Sequence, residues 1–219
     1  FLDIRFSEKE LSNLYTGYRN SRYTKLREKY EKNYKKRNTE LIKGITYLDK
    51  VEEFIERNVK LPVSILDWGG DTGKNTPFKN NNKSIHIYDL GDSKTVKGAV
   101  KVKKSDLKNK TYDLIICSNV LEHVSYPSET LIDIKKNMSS RSLLYVEIPY
   151  EKLMIEINNK EKSYQDKRHW HEHINFFSKK SILNLLKKCK LNVVDFKKLD
   201  VPEGNFSLMQ IISRKDIDQ

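Results

Sequence analysis

Three of the chain's five histidines fall within five residues, at His169, His171 and His173, alternating with Trp170 and Glu172. In an extended segment successive side chains point to opposite faces, so the three imidazoles share one side and Trp170 and Glu172 the other. Two chemistries suit this pattern. Neutral imidazoles can ligate a transition metal, with Glu172 as a further ligand or a base. Alternatively, an imidazole and a carboxylate can take the proton from a hydroxyl or a carbon acid. The second chemistry is the one assigned: His173 as general base, Glu172 orienting it or sharing the proton, His171 beside them, and no metal ligands. Ser178, just beyond, is placed to cap a helix that starts at Lys179.

A second constellation begins with VSILDWGGDTG at residues 63–73. It reads as a buried strand that ends in an acid, Asp67, and enters a tight glycine turn. Glycine there lets the backbone adopt φ > 0 and approach a ligand closely. The turn is expected to open a helix over residues 74–78. The next apolar run ends in Asp89, about 20 residues beyond Gly69, where a carboxylate can accept both hydroxyls of a ribose. A third run is followed by Ser105 and Asp106, suited to an adenine amino group. A fourth ends in Cys117-Ser118-Asn119 and continues as Val120-Leu121-Glu122-His123-Val124, where Glu122 and His123 can also serve as caps of a following helix. Acidic or glycine features thus stand at the tips of four successive strands, which suits a nucleotide-like guest.

The elements that must position these groups are legible as periodicities. Residues 7–58 read as helical, opened by the capping-box pair Ser7 and Glu10 and continued by Leu41, Ile45, Leu48, Val51 and Ile55 at helical spacing. This is an N-terminal helical cap, residues 1–60, ahead of a ligand-binding domain at 61–219. Apolar runs follow at 63–66, 85–88, 99–102, 112–117, 143–148, 191–196 and 207–212, with helical patterns at 127–137 and 179–189. Such alternation argues for a doubly wound α/β sheet with helices on both faces. The last two runs have no crossover helix between them and should pair as an antiparallel hairpin at the sheet's edge.

Composition bounds the partners. The 219 residues suffice for one α/β domain with a small helical appendage. With only two cysteines, Cys117 and Cys189, a disulfide framework and a cysteine zinc site are excluded, and a reducing cytoplasm is expected. No run approaches the roughly 20 apolar residues of a membrane span, and no signal-peptide pattern opens the chain. The formal net charge of +12 points to acidic partners, although heavy Lys, Asn and Ile usage throughout accounts for much of it as solvated surface. The densest basic stretch runs from Arg19 to Lys43.

Taken together, these motifs resemble those of class I S-adenosylmethionine-dependent methyltransferases. ILDWGGDTG is similar to the family's first motif, IYDL to its acidic second, SDL to its third and YDLIICSNVLEHV to its fourth, over residues 63–214. The resemblance implies a Rossmann-like, seven-stranded mixed sheet of order 3-2-1-4-5-7-6 with strand 7 antiparallel. It also implies S-adenosyl-L-methionine as cofactor and S-adenosyl-L-homocysteine as product. The cofactor-binding positions it implies are Asp67, Gly69, Gly70, Asp71, Gly73, Asp89, Leu90, Asp106, Asn119, Leu121 and His123. One departure stands out, since Asp71 occupies the place of the usual central glycine.

HEHINFFS, VEIPYE and EGNFSL resemble segments of bacterial methyltransferases of sugar, capsule and antibiotic pathways. Deoxysugar C-methyltransferases carry a similar HEH segment, whose Glu and second His match Glu172 and His173. The tyrosine that precedes it there is Trp170 here, and their cysteine zinc module is absent. The opening FLDIRFSEKELSNLYTGYR is similar to the stretch just after that module in those enzymes, so a segment upstream of Phe1 is expected. Tyr15, Tyr18, Arg19, Arg22 and Tyr23, with Tyr150 and Trp170, are the acceptor-binding candidates, arginine being suited to bidentate grip on phosphate. The expected activity is O-methylation of a small anionic acceptor such as a nucleotide-linked or phosphorylated sugar. An RNA methyltransferase, a deoxysugar C-methyltransferase and a non-catalytic cofactor-binding module remain alternatives; charge alone favours nucleic acid, and no membrane partner is expected.

Overall fold

Strand β1 (Ser64–Trp68) has four of its five residues buried, as expected of a parallel strand covered on both faces. It lies inside a seven-stranded sheet of order β3-β2-β1-β4-β5-β7-β6. The other strands are β2 (Ser84–Tyr88), β3 (Ala99–Lys101), β4 (Tyr112–Ser118), β5 (Met138–Pro149), β6 (Leu191–Val201) and β7 (Phe206–Lys215). β1 pairs in parallel with β2 and β4, β2 with β3 and β4 with β5, whereas β7 runs antiparallel to both β5 and β6. The order and the antiparallel seventh strand are those expected. The structure, a computed structural model, describes residues 5–60, 62, 64–81, 84–151, 154, 173–204 and 206–216.

Six helices accompany the sheet among the described residues: α1 (Glu8–Tyr15), α2 (Ser21–Glu28), α3 (Tyr34–Lys43), α4 (Leu48–Glu56), α5 (Pro127–Lys135) and α6 (Lys179–Lys188). Ser7 and Glu10 close the expected capping box on α1, and Ser178 caps α6 by accepting from the backbone of Ser181. On one face of the sheet Leu131 and Ile134 of α5 and Ile182 and Leu186 of α6 pack against Leu66, Ile115, Leu144, Val146 and Ile211. On the other, Val51, Phe54 and Ile55 of α4 pack against Ile65, Ile85, Ile87, Leu114, Ile116 and Tyr145. The boundary expected at residue 60 therefore falls after a helix that shares the sheet's own core. Phe54 is fully buried there, and its truncation to alanine should cost about 3–5 kcal/mol.

The helix expected over residues 74–78 is not formed; the chain runs there in turns. Tertiary contacts overrule the local pattern. Thr76 is fully buried and donates to Asp67, and the amide of Phe78, a residue held at φ 58°, donates to Glu52 of α4 over 2.6 Å. With the segment pinned in this way, α4 supplies the cover that a crossover helix would otherwise give.

The N-terminal helices keep their own polar core. Arg27 is buried and paired with Glu31 at 2.8 Å, Arg37 reaches the same carboxylate at 2.7 Å, and both guanidinium groups lie over the ring of buried Tyr34. Two arginines of the basic stretch are thus engaged in holding α2 against α3. None of the helices among the described residues is long and apolar enough to cross a membrane.

Candidate active site

In an open α/β sheet a ligand sits beyond the carboxyl ends of the strands, where the strand order reverses. Here that point lies between β1 and β4. Gly69 leaves β1 at φ +80°, its amide donating to the Tyr88 carbonyl at 2.7 Å, and a Cβ on it would stand 2.4 Å from Val120 Cγ2. Only glycine lets the two central loops pack this closely. A Cβ on Gly70 would meet the Asp67 carboxyl carbon at 2.5 Å. Asp71 adopts φ 49°, a left-handed conformation that Asp tolerates better than most non-glycine residues. That conformation turns its amide onto Asp89 Oδ2 at 2.9 Å, while Asp89 Oδ1 accepts from Gly91 N at 2.7 Å. The Asp89 carboxylate is thereby held by two backbone donors at the tip of β2 and keeps acceptor capacity toward the cleft. This rigid acceptor beside a glycine turn fits the ribose of an adenosyl group.

One cleft of about 1900 Å³ is lined by Asp67, Gly69, Gly70, Asp71, Asp89, Leu90, Asn119 and His123 together with Tyr15, Tyr18, Arg19, Tyr150 and His173. Eight of the expected cofactor positions and four of the acceptor positions therefore share one space. Others do not reach it. Gly73, at φ +75°, faces Ile87 and Ala99 and serves the packing of the first strands. The exposed Asp106 turns back to accept from its own Lys103 amide, which holds its carboxyl below the usual range. Leu121 is fully buried in the core under α5 and α6. Arg22 sits on the outer surface of α2 beside Lys25, Leu26 and Lys29, and Tyr23 is taken up by Arg27 and by ring contacts with Tyr18 and Tyr34. Trp170, His171 and Glu172, like His169, lie outside the described residues.

His173 meets partners that sequence spacing did not indicate. Its Nδ1 donates to Glu151 Oε1 at 2.5 Å, and its ring stands perpendicular to that of His123, 4.8 Å between centroids. His123 in turn meets Tyr15 edge to face at 6.4 Å and lies 3.7 Å from buried Glu122. Glu122 and His123 therefore do not cap α5, which begins at Pro127 after Tyr126. The backbone fixes this meeting. The amides of Ile174 and Asn175 both donate to the Glu122 carbonyl, and Asn175 Nδ2 donates to the carbonyls of Leu121 and Val124 at 2.9 and 2.7 Å.

Behind the cleft residues Tyr47, Ser118 and Asn119 lies a buried carboxylate. Glu147, 1% exposed, accepts through Oε1 from Ser118 at 2.9 Å, Asn119 at 3.1 Å and Tyr47 at 3.3 Å. Through Oε2 it accepts from Tyr145 at 2.6 Å and Gln210 at 3.0 Å. Burial, reinforced by the neighbouring carboxylate, pushes the Tyr47 and Tyr145 hydroxyls well above their usual range. Both stay neutral donors. Burial likewise raises the Cys117 thiol, which makes it inert packing rather than a nucleophile.

With this geometry in view, known proteins give a consistent answer. The profile of a family described as "Methyltransferase domain" matches residues 20–195. Among solved structures, the chain is similar to the 1,6-didemethyltoxoflavin-N1-methyltransferase of Burkholderia thailandensis, solved with 1,6-didemethyltoxoflavin and S-adenosylhomocysteine. The TM-score is 0.67 at 13% identity, over 98% of this chain and 93% of that one. It is also similar to the magnesium protoporphyrin IX methyltransferase of Synechocystis PCC 6803, solved with S-adenosylhomocysteine, with a TM-score of 0.62 at 12% identity over 95% and 100% of the two chains. No curated protein sequence matches it. The fold is that of a class I S-adenosylmethionine-dependent methyltransferase. The chain belongs to the methyltransferase-domain family.

Proposed function

We propose that this enzyme methylates an oxygen of a small anionic acceptor, a phosphorylated or nucleotide-linked sugar or a related precursor of capsule or natural-product biosynthesis. The observation that carries the reading is the meeting of His173 and Glu151 beside His123 in the same cleft as the Asp89 rim. S-adenosylmethionine, when bound, supplies an electrophilic methyl group on a sulfonium, so the protein's task is to position an acceptor and remove its proton. Asp89 and the Gly69–Gly70 turn would hold the adenosyl end, and Tyr15 and Tyr18 would flank the acceptor. Arg19, whose guanidinium lies 4.8 Å from the Tyr18 ring centroid, would meet its negative charge. A carboxylate on His173 Nδ1 fixes the imidazole tautomer and leaves Nε2 as the acceptor of a hydroxyl proton.

The test is direct. Purified protein is incubated with S-adenosylmethionine and a panel of nucleotide-linked and phosphorylated sugars, and methyl ethers and S-adenosylhomocysteine are followed by mass spectrometry. A His173→Ala variant that still binds cofactor should lose about 10²–10⁴ in kcat. Wild-type turnover by that variant would remove His173 from the chemistry, and salt-sensitive methylation of RNA with no sugar product would replace the acceptor class.

A further inference from the structure

We propose that Glu122, His123 and His173 form a binding site for a divalent transition-metal ion, which holds and activates the acceptor oxygen in the methyl-transfer cleft. The proposal rests on the methyltransferase reading of the cleft, names how the acceptor is gripped, and puts a bound ion in place of His173 as the group that activates the acceptor. One ligand atom from each of the three side chains lies within 4.8 Å of the other two. Around an ion bound at about 2.1 Å, ligand atoms stand roughly 3.3 Å apart. Side-chain rotation that contracts the cluster by about 1.5 Å completes the shell.

Three independent features favour a metal over a chance meeting. First, the donor set is two imidazoles and a carboxylate, a combination suited to zinc, iron, cobalt or manganese and unlike the all-oxygen shells of calcium and magnesium. Second, the His173–Glu151 hydrogen bond of 2.5 Å is the support that metal-bound histidines take, a carboxylate on one ring nitrogen leaving the other to ligate. Third, Glu122 is only 2% exposed yet contributes to the cleft lining with both histidines. Its carboxylate and the two imidazoles thus offer an ion one anionic and two neutral donors at one place in the cleft wall. The clamp of Ile174 and Asn175 on residues 121–124 sets the two ligand segments in fixed register before any ion arrives.

Three protein ligands leave two or three positions open to the cleft, which suits an acceptor presenting two adjacent oxygens, such as a vicinal diol or an α-hydroxy acid. Coordination favours loss of the hydroxyl proton, which passes to water in the cleft. The oxygen's electron pair then forms the bond to the methyl carbon while the carbon–sulfur pair returns to sulfur, yielding a methyl ether and a neutral thioether. His173 Nε2 cannot both ligate and take a proton, so in this scheme His173 is a ligand and the ion takes over the task of the base.

The experiment uses the full chain, stripped with chelator and titrated separately with Mn²⁺, Co²⁺ and Zn²⁺ without cofactor or acceptor. Binding is followed by calorimetry and by the visible absorption of Co²⁺. One ion per chain at micromolar or tighter affinity is expected. His123→Ala and His173→Ala should each weaken binding at least 30-fold, and Glu151→Gln about tenfold. His86→Ala, outside the cleft, should change nothing, and an unchanged far-ultraviolet circular dichroism spectrum shows that each variant is folded. Absence of binding at 100 µM of all three ions, or binding abolished only by His169→Ala or His171→Ala, overturns the site. Methyl transfer that persists in chelator overturns it too, while leaving the methyltransferase reading intact. Tight binding with no methyl transfer under any condition would sink that reading and keep the metal site.

Discussion

Asp67 and Thr76 meet through a 2.6 Å hydrogen bond at a place that water scarcely reaches, the carboxylate being 5% exposed and the hydroxyl donor's residue fully buried. Burial pushes the Asp67 carboxyl up to about 7, the Thr76 hydrogen bond opposing the shift and the Asp89 charge adding to it. In the unfolded chain the same group titrates near 3.9. Between those values the folded state holds the proton more tightly, so this residue's contribution to stability is full at low pH and declines as pH rises toward 7. The whole window corresponds to roughly 4 kcal/mol. Asp67→Asn should therefore gain stability relative to wild type from pH 4.5 to 7 and hold that advantage above. Paired thermal melts across this range check it, and an advantage that shrinks with rising pH would refute the assignment.

The buried Glu147 network predicts two very different costs. Tyr47→Phe removes one of five donors and should destabilise by about 1 kcal/mol. Glu147→Ala leaves all five donors facing a void and should cost about 3–5 kcal/mol. Urea denaturation separates the two, and equal effects would show that the network is not centred on the carboxylate.

Gly69 and Gly98 both sit at positive φ, but only Gly69 has a neighbour in the way; around Gly98 nothing lies within 4 Å of an added Cβ. Gly98→Ala should cost about 1 kcal/mol of backbone strain and leave cofactor affinity within about twofold. Gly69→Ala should weaken S-adenosylmethionine binding at least tenfold, with partial recovery in a Gly69→Ala/Val120→Ala double variant. Calorimetry on the three variants decides; a single variant with intact affinity would mean that the loop has room.

Arg19 lines the cleft whereas Arg22 faces outward. Charge reversal at Arg19 should raise the acceptor KM about tenfold or more with little change in kcat, as for a group that binds ground and transition states alike. Reversal at Arg22 should change KM by less than twofold. Steady-state kinetics at two salt concentrations provide the comparison, and equal effects would reduce both to general surface charge.

What the sequence disclosed and what it withheld divide along the range of the contacts involved. Gly69, Asp89 and the VLEHV segment carry their meaning locally, because a glycine turn and a strand-end acid work within a few residues of where they stand. The same holds for the alternation that gave the sheet and for Ser7 and Ser178 as caps. Residues 74–78 misled because a local helical pattern was overridden by Thr76 and Phe78 binding to Asp67 and Glu52. His173 was legible as a candidate base but its partner was not. Proximity in sequence favoured Glu172, whereas the described contact is Glu151, brought in from the end of β5. Glu147 stood out only as part of VEIPYE and its network gave no sign, since a glutamate in an apolar run acquires its five donors only from four separate parts of the folded chain.

Strand β7 is translated after the other six, yet it lies inside the sheet, between β5 and β6. Until residues 206–215 have left the ribosome, β5 presents an open hydrogen-bonding edge and β6 has no strand to join. Gln210 also arrives on β7, so Glu147 waits for its last donor. The nascent chain must therefore keep an apolar strand edge unpaired through roughly the last third of its synthesis, the form in which sheets recruit foreign strands. Chaperone demand during production, and aggregation of fragments that stop short of β7, are the cellular consequences expected of that strand order.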